Sequence, residues 1–493
     1  MRQPNGWKNA AILFALCAMM TIAASAQTFT TLASFDITDG SSPYFAPLVQ
    51  GTDGNFYGTT QFGGTANLGT VFKITPAGDI TTLYSFCTQA GCLDGVYPYA
   101  GLVQGVDGDF YGTTSQGGIN NGHGGTVFKI TSKGKLTTLY SFCAQTNCTD
   151  GIYPSGGLVQ GADGSFYGTT FYGGVQDAQW CSGGCGTIFK ITRTGIFTTL
   201  YSFTGYSGEG SAPNSALVQG KNLHFYGTTE NGGAYGACTY ACGTVFEITP
   251  NGTLTTLHSF AGSPSDGAEP FANVVFGTDG SLYGTTSIGG ANNAGTVFKI
   301  TPGGVLTTLY SFCVLSKCAD GQMPEGGLVR TSDGDFYGTT TIGGVYTVGS
   351  LFKITPGGTL TTLYSFCAQG YPRCPDGSFV YAGLLQATNG NLYGVTGGGG
   401  DLNGGTVFRL SAGFRPFVET RPTAAKVGKP VIILGSKLRG STSVTFNGTK
   451  AAFTVVSNSE IKTTVPQGAT TGKVKVQMSR GTVKSNVVFR IIP

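Results

Sequence analysis

Charged side chains are scarce in this chain: Asp, Glu, Lys and Arg make up 11% of it, against about a quarter in an ordinary globular domain. Histidine occurs only at His123, His224 and His258, and HExxH, G-x-S-x-G and P-loop strings do not occur. The sequence signatures of zincins, elbow-type serine hydrolases and phosphate-cradling nucleotide binders are therefore missing. After residue 26 no apolar run approaches the ~18 residues that a membrane-spanning helix needs. No long window carries a 3.6-residue hydrophobic period, which argues against a helical bundle. Tryptophan is nearly absent too: beyond residue 26 there is only Trp180.

Glycine, by contrast, is abundant, at 82 of 493 residues. With Thr, Val, Phe and Tyr clustered in short runs between Asp-Gly and Pro-Gly pairs, this is an all-β composition. The first 26 residues carry Arg2 and Lys8, an apolar run and Ala-Ser-Ala before Gln27. They read as a cleaved signal peptide, so a secreted protein, extracellular or periplasmic, with no transmembrane segment is expected. The two ends of the remaining chain differ in charge: net −9 over 27–412 and net +11 over 413–493. Such asymmetry suggests two domains.

The string YGTT starts at Tyr57, Tyr111, Tyr167, Tyr226, Tyr283 and Tyr337, and YGVT follows at Tyr393. Seven copies at a period of 54 to 59 residues mark a repeat architecture. Each copy divides into four short strands: LVQ, an Asp-Gly turn, FYGTT, a Gly-Gly loop, GTVFKIT, a Pro-Gly type turn, and LTTLYSF. Asp-Gly between two β-rich runs is a strong hairpin signal. Four-stranded units repeated at this period predict a β-propeller. The seventh copy lacks its LTTLYSF, and the chain after the leader opens with TFTTLASF at 28–35. A seven-bladed propeller closed by its N-terminal strand accounts for every strand.

The signature GGxxxxGTVFKITPxGxLTTLYSF resembles the GloVer-type tandem repeat of secreted bacterial proteins of the choice-of-anchor group. That resemblance covers about 28–410; it implies export and life at or beyond the cell surface, and brings no enzymatic activity with it. Residues 418–493, with VIILGS, VTFNG (444–448) and IKTTVP (461–466), resemble an IPT/TIG domain, which implies an immunoglobulin-like β-sandwich. The expected organisation is a signal peptide over 1–26, the propeller over 27–410, a linker over 411–417 and the immunoglobulin-like domain over 418–493.

Twelve cysteines follow the leader, all in close pairs: Cys87/Cys92, Cys143/Cys148, Cys181/Cys185, Cys238/Cys242, Cys313/Cys318 and Cys367/Cys374. Even number, local pairing and export predict six short disulfide loops. In an up-and-down blade all six fall on one face, together with the longest loops. On exposed loops such bridges protect against proteases or stiffen a binding surface. Zinc is the weaker reading, because the pairs fall in different repeats with no recurring histidine.

That face also carries a repeated Asp-Gly-x-x-Pro or a close variant, with Asp39, Asp94, Asp150, Asp266, Asp320 and Asp376, and Glu209 in the remaining repeat. Asp94, Asp150, Asp320 and Asp376, with Trp180, are the candidate ligand-binding residues. The competing reading is that each Asp caps its own turn. No cofactor is expected, although carboxylates at this density allow Ca²⁺. Acids off the repeat pattern, Asp177, Glu230, Glu269, Glu325 and Asp401, are the residues that a paired-carboxylate glycosidase would use. The expected function is a binding or adhesion module for a glycan or surface protein. A carbohydrate-active hydrolase or lyase and an architectural surface protein are the alternatives. The basic C-terminal domain suggests an anionic envelope polymer as a partner, and nothing points to nucleic acid.

Overall fold

The computed structural model describes residues 27–492 apart from 120–122, 176–180, 182, 206–207, 235–237, 239–241, 371 and 480. The fold is all-β; among the described residues there is no α-helix, and single 3₁₀ turns lie inside three of the disulfide loops, at Ala90–Cys92, Thr146–Cys148 and Ser316–Cys318.

Each repeat folds into one four-stranded antiparallel sheet. In the first, Val49–Gln50, Phe56–Thr60, Thr70–Ile74 and Ile80–Ser85 lie side by side in chain order. The local chemistry explains why. Gly54 takes φ +86°, closing the turn with its N–H on Gly51 O; Asp53 braces it by accepting the Tyr57 hydroxyl at 2.7 Å. Gly58 in FYGTT stands opposite Phe72 in VFKIT. A Cβ there would come within 2.6 Å of the Phe72 ring, so the aromatic ring demands the glycine. The buried Thr60 and Thr70 hydroxyls join the two middle strands at 2.8 Å.

Seven such sheets occur among the described residues. The last consists of Leu385–Gln386, Leu392–Thr396 and Thr406–Ser411, completed by the N-terminal strand Thr28–Ser34. Thr28 pairs with Ser411 and Ser34 with Thr406, antiparallel, with a bulge at Leu32. The opening strand therefore fills the place that the seventh repeat leaves vacant.

Neighbouring sheets share cores. Tyr57 of the first stacks on Phe110 of the second at 4.0 Å, and Tyr111 on Phe166 repeats this at 4.0 Å. The seventh sheet packs on the first in the same way, Tyr393 against Phe56 at 4.2 Å. Phe35, Leu48, Phe72, Val395 and Val407 belong to one buried cluster there. The Gln50 side chain accepts the Thr388 N–H at 3.0 Å, as Gln104 accepts that of Thr52 at 3.1 Å.

The C-terminal residues form two facing sheets with a common core of Val431, Ile433, Val444, Phe446, Ile461, Val474 and Val476. Glu419–Arg421, Pro430–Leu434, Glu460–Thr464 and Phe453–Val455 make one; Thr449–Ala451, Ser441–Phe446, Val474–Met478 and Gly481–Lys484 make the other. The first sheet sits on the Asp-Gly turn side of the repeats. Arg421 donates to Gln104 Oε1 at 2.5 Å and to Gln50 O at 2.9 Å, and the Ser459 hydroxyl to Thr52 O at 2.6 Å. The segment expected to be a linker is itself held down: Phe414 packs edge-on against Tyr337 at 5.4 Å, and Phe417 is buried with its N–H on Thr388 O.

Candidate functional site

All six cysteine pairs are bonded: Cys87–Cys92, Cys143–Cys148, Cys181–Cys185, Cys238–Cys242, Cys313–Cys318 and Cys367–Cys374. Within each sheet the loop that enters its first strand meets the loop between its second and third strands. In the second sheet Val96 pairs with Gln116, and the Gly118 N–H reaches Cys92 O at 3.0 Å. The disulfide loops therefore gather on the side opposite the Asp-Gly turns.

The expectation of bridges on exposed loops needs correction at three of them. Cys185, Cys242, Cys367 and Cys374 are buried, and the other cysteines are half-buried. Cys185 belongs to the core of Ile188, Phe203 and Leu217, and Cys242 to that of Val245, Phe260 and Val274. Each stands two residues before a third strand, Thr187–Ile191 or Thr244–Ile248, where the chain has already entered the sheet. Cys374 O accepts the N–H groups of Gly377 and Gly400 at 2.8 and 2.9 Å, which draws it under its own loop. Half-cystine sulfur is apolar and packs as a core atom. These bridges root their loops in the sheets.

The repeated aspartates on that side point inward. Asp94, Asp150, Asp320 and Asp376 are each 0% exposed. Asp94 accepts the Tyr84 hydroxyl at 2.8 Å and the Thr88 N–H at 3.0 Å. Asp150 does the same for Tyr140 and Ala144, Asp320 for Tyr310 and Val314, and Asp376 for Tyr364 and Ala368. A ligand arriving from solvent does not reach these carboxylates; they tie each loop to the tyrosine of the preceding outer strand. His258 takes that tyrosine's role in its repeat, with Nε2 2.8 Å from Asp266 Oδ2. Where the repeat has Ala33 instead, Asp39 has no ring hydroxyl to accept and meets Asp36, and burial above all pushes its carboxyl up to about 6. Asp320→Ala is expected to cost about 3 kcal/mol by leaving the Tyr310 hydroxyl and two N–H groups unsatisfied, measured by urea unfolding with retention of ligand binding. Among the described residues no three His, Cys, Asp or Glu side chains are grouped as a metal centre requires. Trp180 and Asp177 lie outside the described residues, and Asp401 is exposed on its own loop.

A different group of residues converges. At the same place in each entering loop a non-glycine residue adopts a left-handed backbone: Ser42, Tyr97, Tyr153, Ala212, Glu269, Met323 and Phe379, with φ between 52° and 56°. Each is pinned from both sides. The Tyr97 N–H donates to Leu68 O of the preceding sheet, and Tyr97 O accepts from Ser115 N–H. The Ser42 N–H donates to Gly404 O, spanning the first and seventh sheets. Two positions further on stand Tyr44, Tyr99, Ser155, Asn214, Phe271, Glu325 and Tyr381. Tyr44 stacks on Tyr381 at 4.2 Å, and Phe45 touches Tyr99, Tyr381 and Phe271 at 5.1, 5.5 and 6.1 Å. Aromatic rings from the first, second, fifth and seventh sheets thus meet at one place.

Three carboxylates border these rings: Glu230, Glu269 and Glu325, from the fourth, fifth and sixth repeats. Burial, and then the nearby charges of Glu269 and Glu325, push the Glu230 carboxyl up to about 7, against an opposing hydrogen bond from Asn214. Burial raises Glu269 despite its bond with Ser287. Burial also raises Glu325, 8% exposed, although the Thr341 hydroxyl donates to it at 2.8 Å. Tyr99 and Tyr381 are likewise pushed up, first by burial and then by neighbours that include Tyr44 and Glu325. The Ser155 hydroxyl is buried without a hydrogen-bond partner among the described residues. Such a basin offers flat apolar faces ringed by acceptors and hydroxyls, which suits a polyhydroxylated ligand. Three of the five acids singled out from the sequence come together here. The tyrosines were missed; their signal is that the residue after the repeat's proline, or after Val380 in the seventh copy, changes from copy to copy. His123 is exposed, and His224 pairs with Glu247 at 2.6 Å beside the turn at Asn222, so the histidines share no site.

Family models match this chain at residues 14–241 and 235–445 as the Gloeobacter/Verrucomicrobia repeat and at 419–491 as an IPT/TIG domain. No curated protein matches it. Solved structures similar to it include a luciferin-regenerating enzyme, at 10% identity over 79% of this chain and 97% of that one with a TM-score of 0.40. Another is a protein of unknown function from Bacteroides thetaiotaomicron, at 12% identity over 78% and 76% with a TM-score of 0.40. The chain belongs to the Gloeobacter/Verrucomicrobia repeat family, with a C-terminal IPT/TIG domain.

Proposed function

We propose that this repeat-family chain is an exported carbohydrate-binding module. Its leader over 1–26 is removed, its seven sheets over 27–410 are the blades of a closed propeller, and the segment 411–417 joins them to the immunoglobulin-like domain over 418–493. Six disulfides fit life outside the reducing cytosol. The observation that carries the binding reading is the basin of Tyr44, Tyr99, Tyr381 and three glutamates. Repetition does not account for it, because the same position holds tyrosine, serine, asparagine, phenylalanine or glutamate in different repeats. Stacking of sugar rings on tyrosine faces with carboxylates accepting from hydroxyls is the expected mode. Against a panel of plant, fungal and bacterial polysaccharides, a retained glycan is expected to lose at least tenfold in affinity with Tyr44→Ala or Tyr381→Ala. Retention unaffected by both substitutions would move the site elsewhere.

One observation favours a second reading, hydrolysis or lyase chemistry in the same basin. Glu230, with its carboxyl at about 7, has the protonation behaviour of a general acid or base. Its distinguishing test is the appearance of new reducing or unsaturated ends with the retained glycan. Loss of those ends, but not of retention, in Glu230→Gln would identify an enzyme.

A further inference from the structure

The immunoglobulin-like domain turns one sheet to the repeats and the other away. On the outward sheet the register aligns Lys450 with Thr445, Thr445 with Lys475, and Lys475 with Lys484. Three lysines therefore lie in one row across four strands, at one and two strand spacings, about 5 and 10 Å. All three are exposed. Residues 413–493 contain only two acids, Glu419 and Glu460. Both are on the docked sheet, where Arg421 and Lys462 pair with them at 3.0 and 3.7 Å. The row thus has no counter-charge on its own sheet.

Lysines on edge strands blunt unwanted strand pairing, which accounts for Lys450 and Lys484. It does not account for Lys475, whose strand is hydrogen-bonded on both sides. Lys475 also stands directly opposite Lys484, and like charges in that position destabilise a sheet. The neighbouring row offers Ser443, Gln477 and Thr482, which are hydroxyl and amide groups rather than aromatic rings.

We propose that this lysine row is a docking surface for an anionic polysaccharide, with the cations meeting repeated charges along the polymer and the adjacent hydroxyl and amide groups meeting its sugar hydroxyls. Nucleic acid fits less well, because single strands are held by aromatic stacking and this sheet face presents none. The surface is separate from the tyrosine–glutamate basin, so either can fail without the other.

The test uses the full chain, with polygalacturonate as the probe and dextran as the neutral control, in affinity electrophoresis over a range of salt. Retention by polygalacturonate but not dextran is expected. K450Q/K475Q/K484Q should weaken it at least tenfold and reduce the salt slope by about 2 to 3, one for each lost ion contact. K426Q/K429Q/K437Q, which removes the same charge from elsewhere on the domain, should change it less than threefold. The unfolding midpoint of Lys475→Gln should not fall below the parent's, since a like-charge opposition is removed. Equal losses in the two triple variants, or no retention, would overturn the proposal. Binding of duplex DNA or phosphatidylglycerol vesicles as tightly as polygalacturonate would overturn it too.

Discussion

Deleting residues 27–35 is expected to abolish the cooperative thermal transition and to drive self-association. The deletion removes the ladder from Thr28–Ser411 to Ser34–Thr406 and leaves Thr406–Ser411 as an unpaired edge, a template for pairing with other chains. It also removes two aromatic anchors. Phe29 stacks on Tyr364 at 3.8 Å and on Phe408 at 5.3 Å. Phe35, 1% exposed, packs edge-on against Phe72 of the first sheet at 4.9 Å. Loss of a buried phenylalanine costs about 3–5 kcal/mol, and a typical domain has about 5–15 kcal/mol in all. Calorimetry and light scattering would read the result, and a synthetic peptide of residues 27–36 should restore part of the transition in trans. Phe35→Ala is the milder companion, expected to cost about 3–5 kcal/mol in urea unfolding. An unchanged midpoint and elution volume for the deletion would mean that the N-terminal strand is dispensable.

Glu230→Gln should be more stable than the parent above pH 7. The folded protein holds this carboxyl at about 7 rather than its ordinary 4.5, so the native state favours its protonated form. Ionisation then works against folding: no difference is expected below pH 4.5, and a penalty builds as the pH rises toward 7. Across that window each whole pH step weakens the parent by about 1.4 kcal/mol, and the gain from the substitution approaches about 3 kcal/mol at pH 8. Parallel denaturation series at pH 4 and pH 8 would measure it. A constant difference between parent and variant at both pH values would disprove the assignment. A buried acid that weakens the fold at neutral pH is what a site for ligand or proton chemistry looks like energetically.

The strands and their order are readable from the sequence because each repeat carries its own turn residues and its own glycine–phenylalanine pair. The place of Thr28–Ser34 follows from counting strands, and the disulfide pairing follows from cysteine spacing. The burial of Cys185, Cys242 and Cys374 does not, because it depends on how each loop settles onto its sheet. The inward turn of Asp94, Asp150, Asp320 and Asp376 depends on a partner ten or twelve residues earlier, Tyr84, Tyr140, Tyr310 and Tyr364. That pairing is visible as a recurring Tyr–Asp interval, but only a packed loop shows that it buries the acid. The meeting of Glu230, Glu269 and Glu325 is less accessible still. They come from three repeats, and only the arrangement of whole sheets brings them together.

The seven left-handed residues before the basin have one more consequence. Because main-chain bonds on both sides hold each of them, the loop's course does not depend on the side chain two places on. Tyrosine, serine, asparagine, phenylalanine and glutamate already occupy that place in different repeats. The chassis therefore behaves as a set of interchangeable sockets, and a library randomised at 44, 99, 155, 214, 271, 325 and 381 should yield new specificities from a scaffold that keeps its shape.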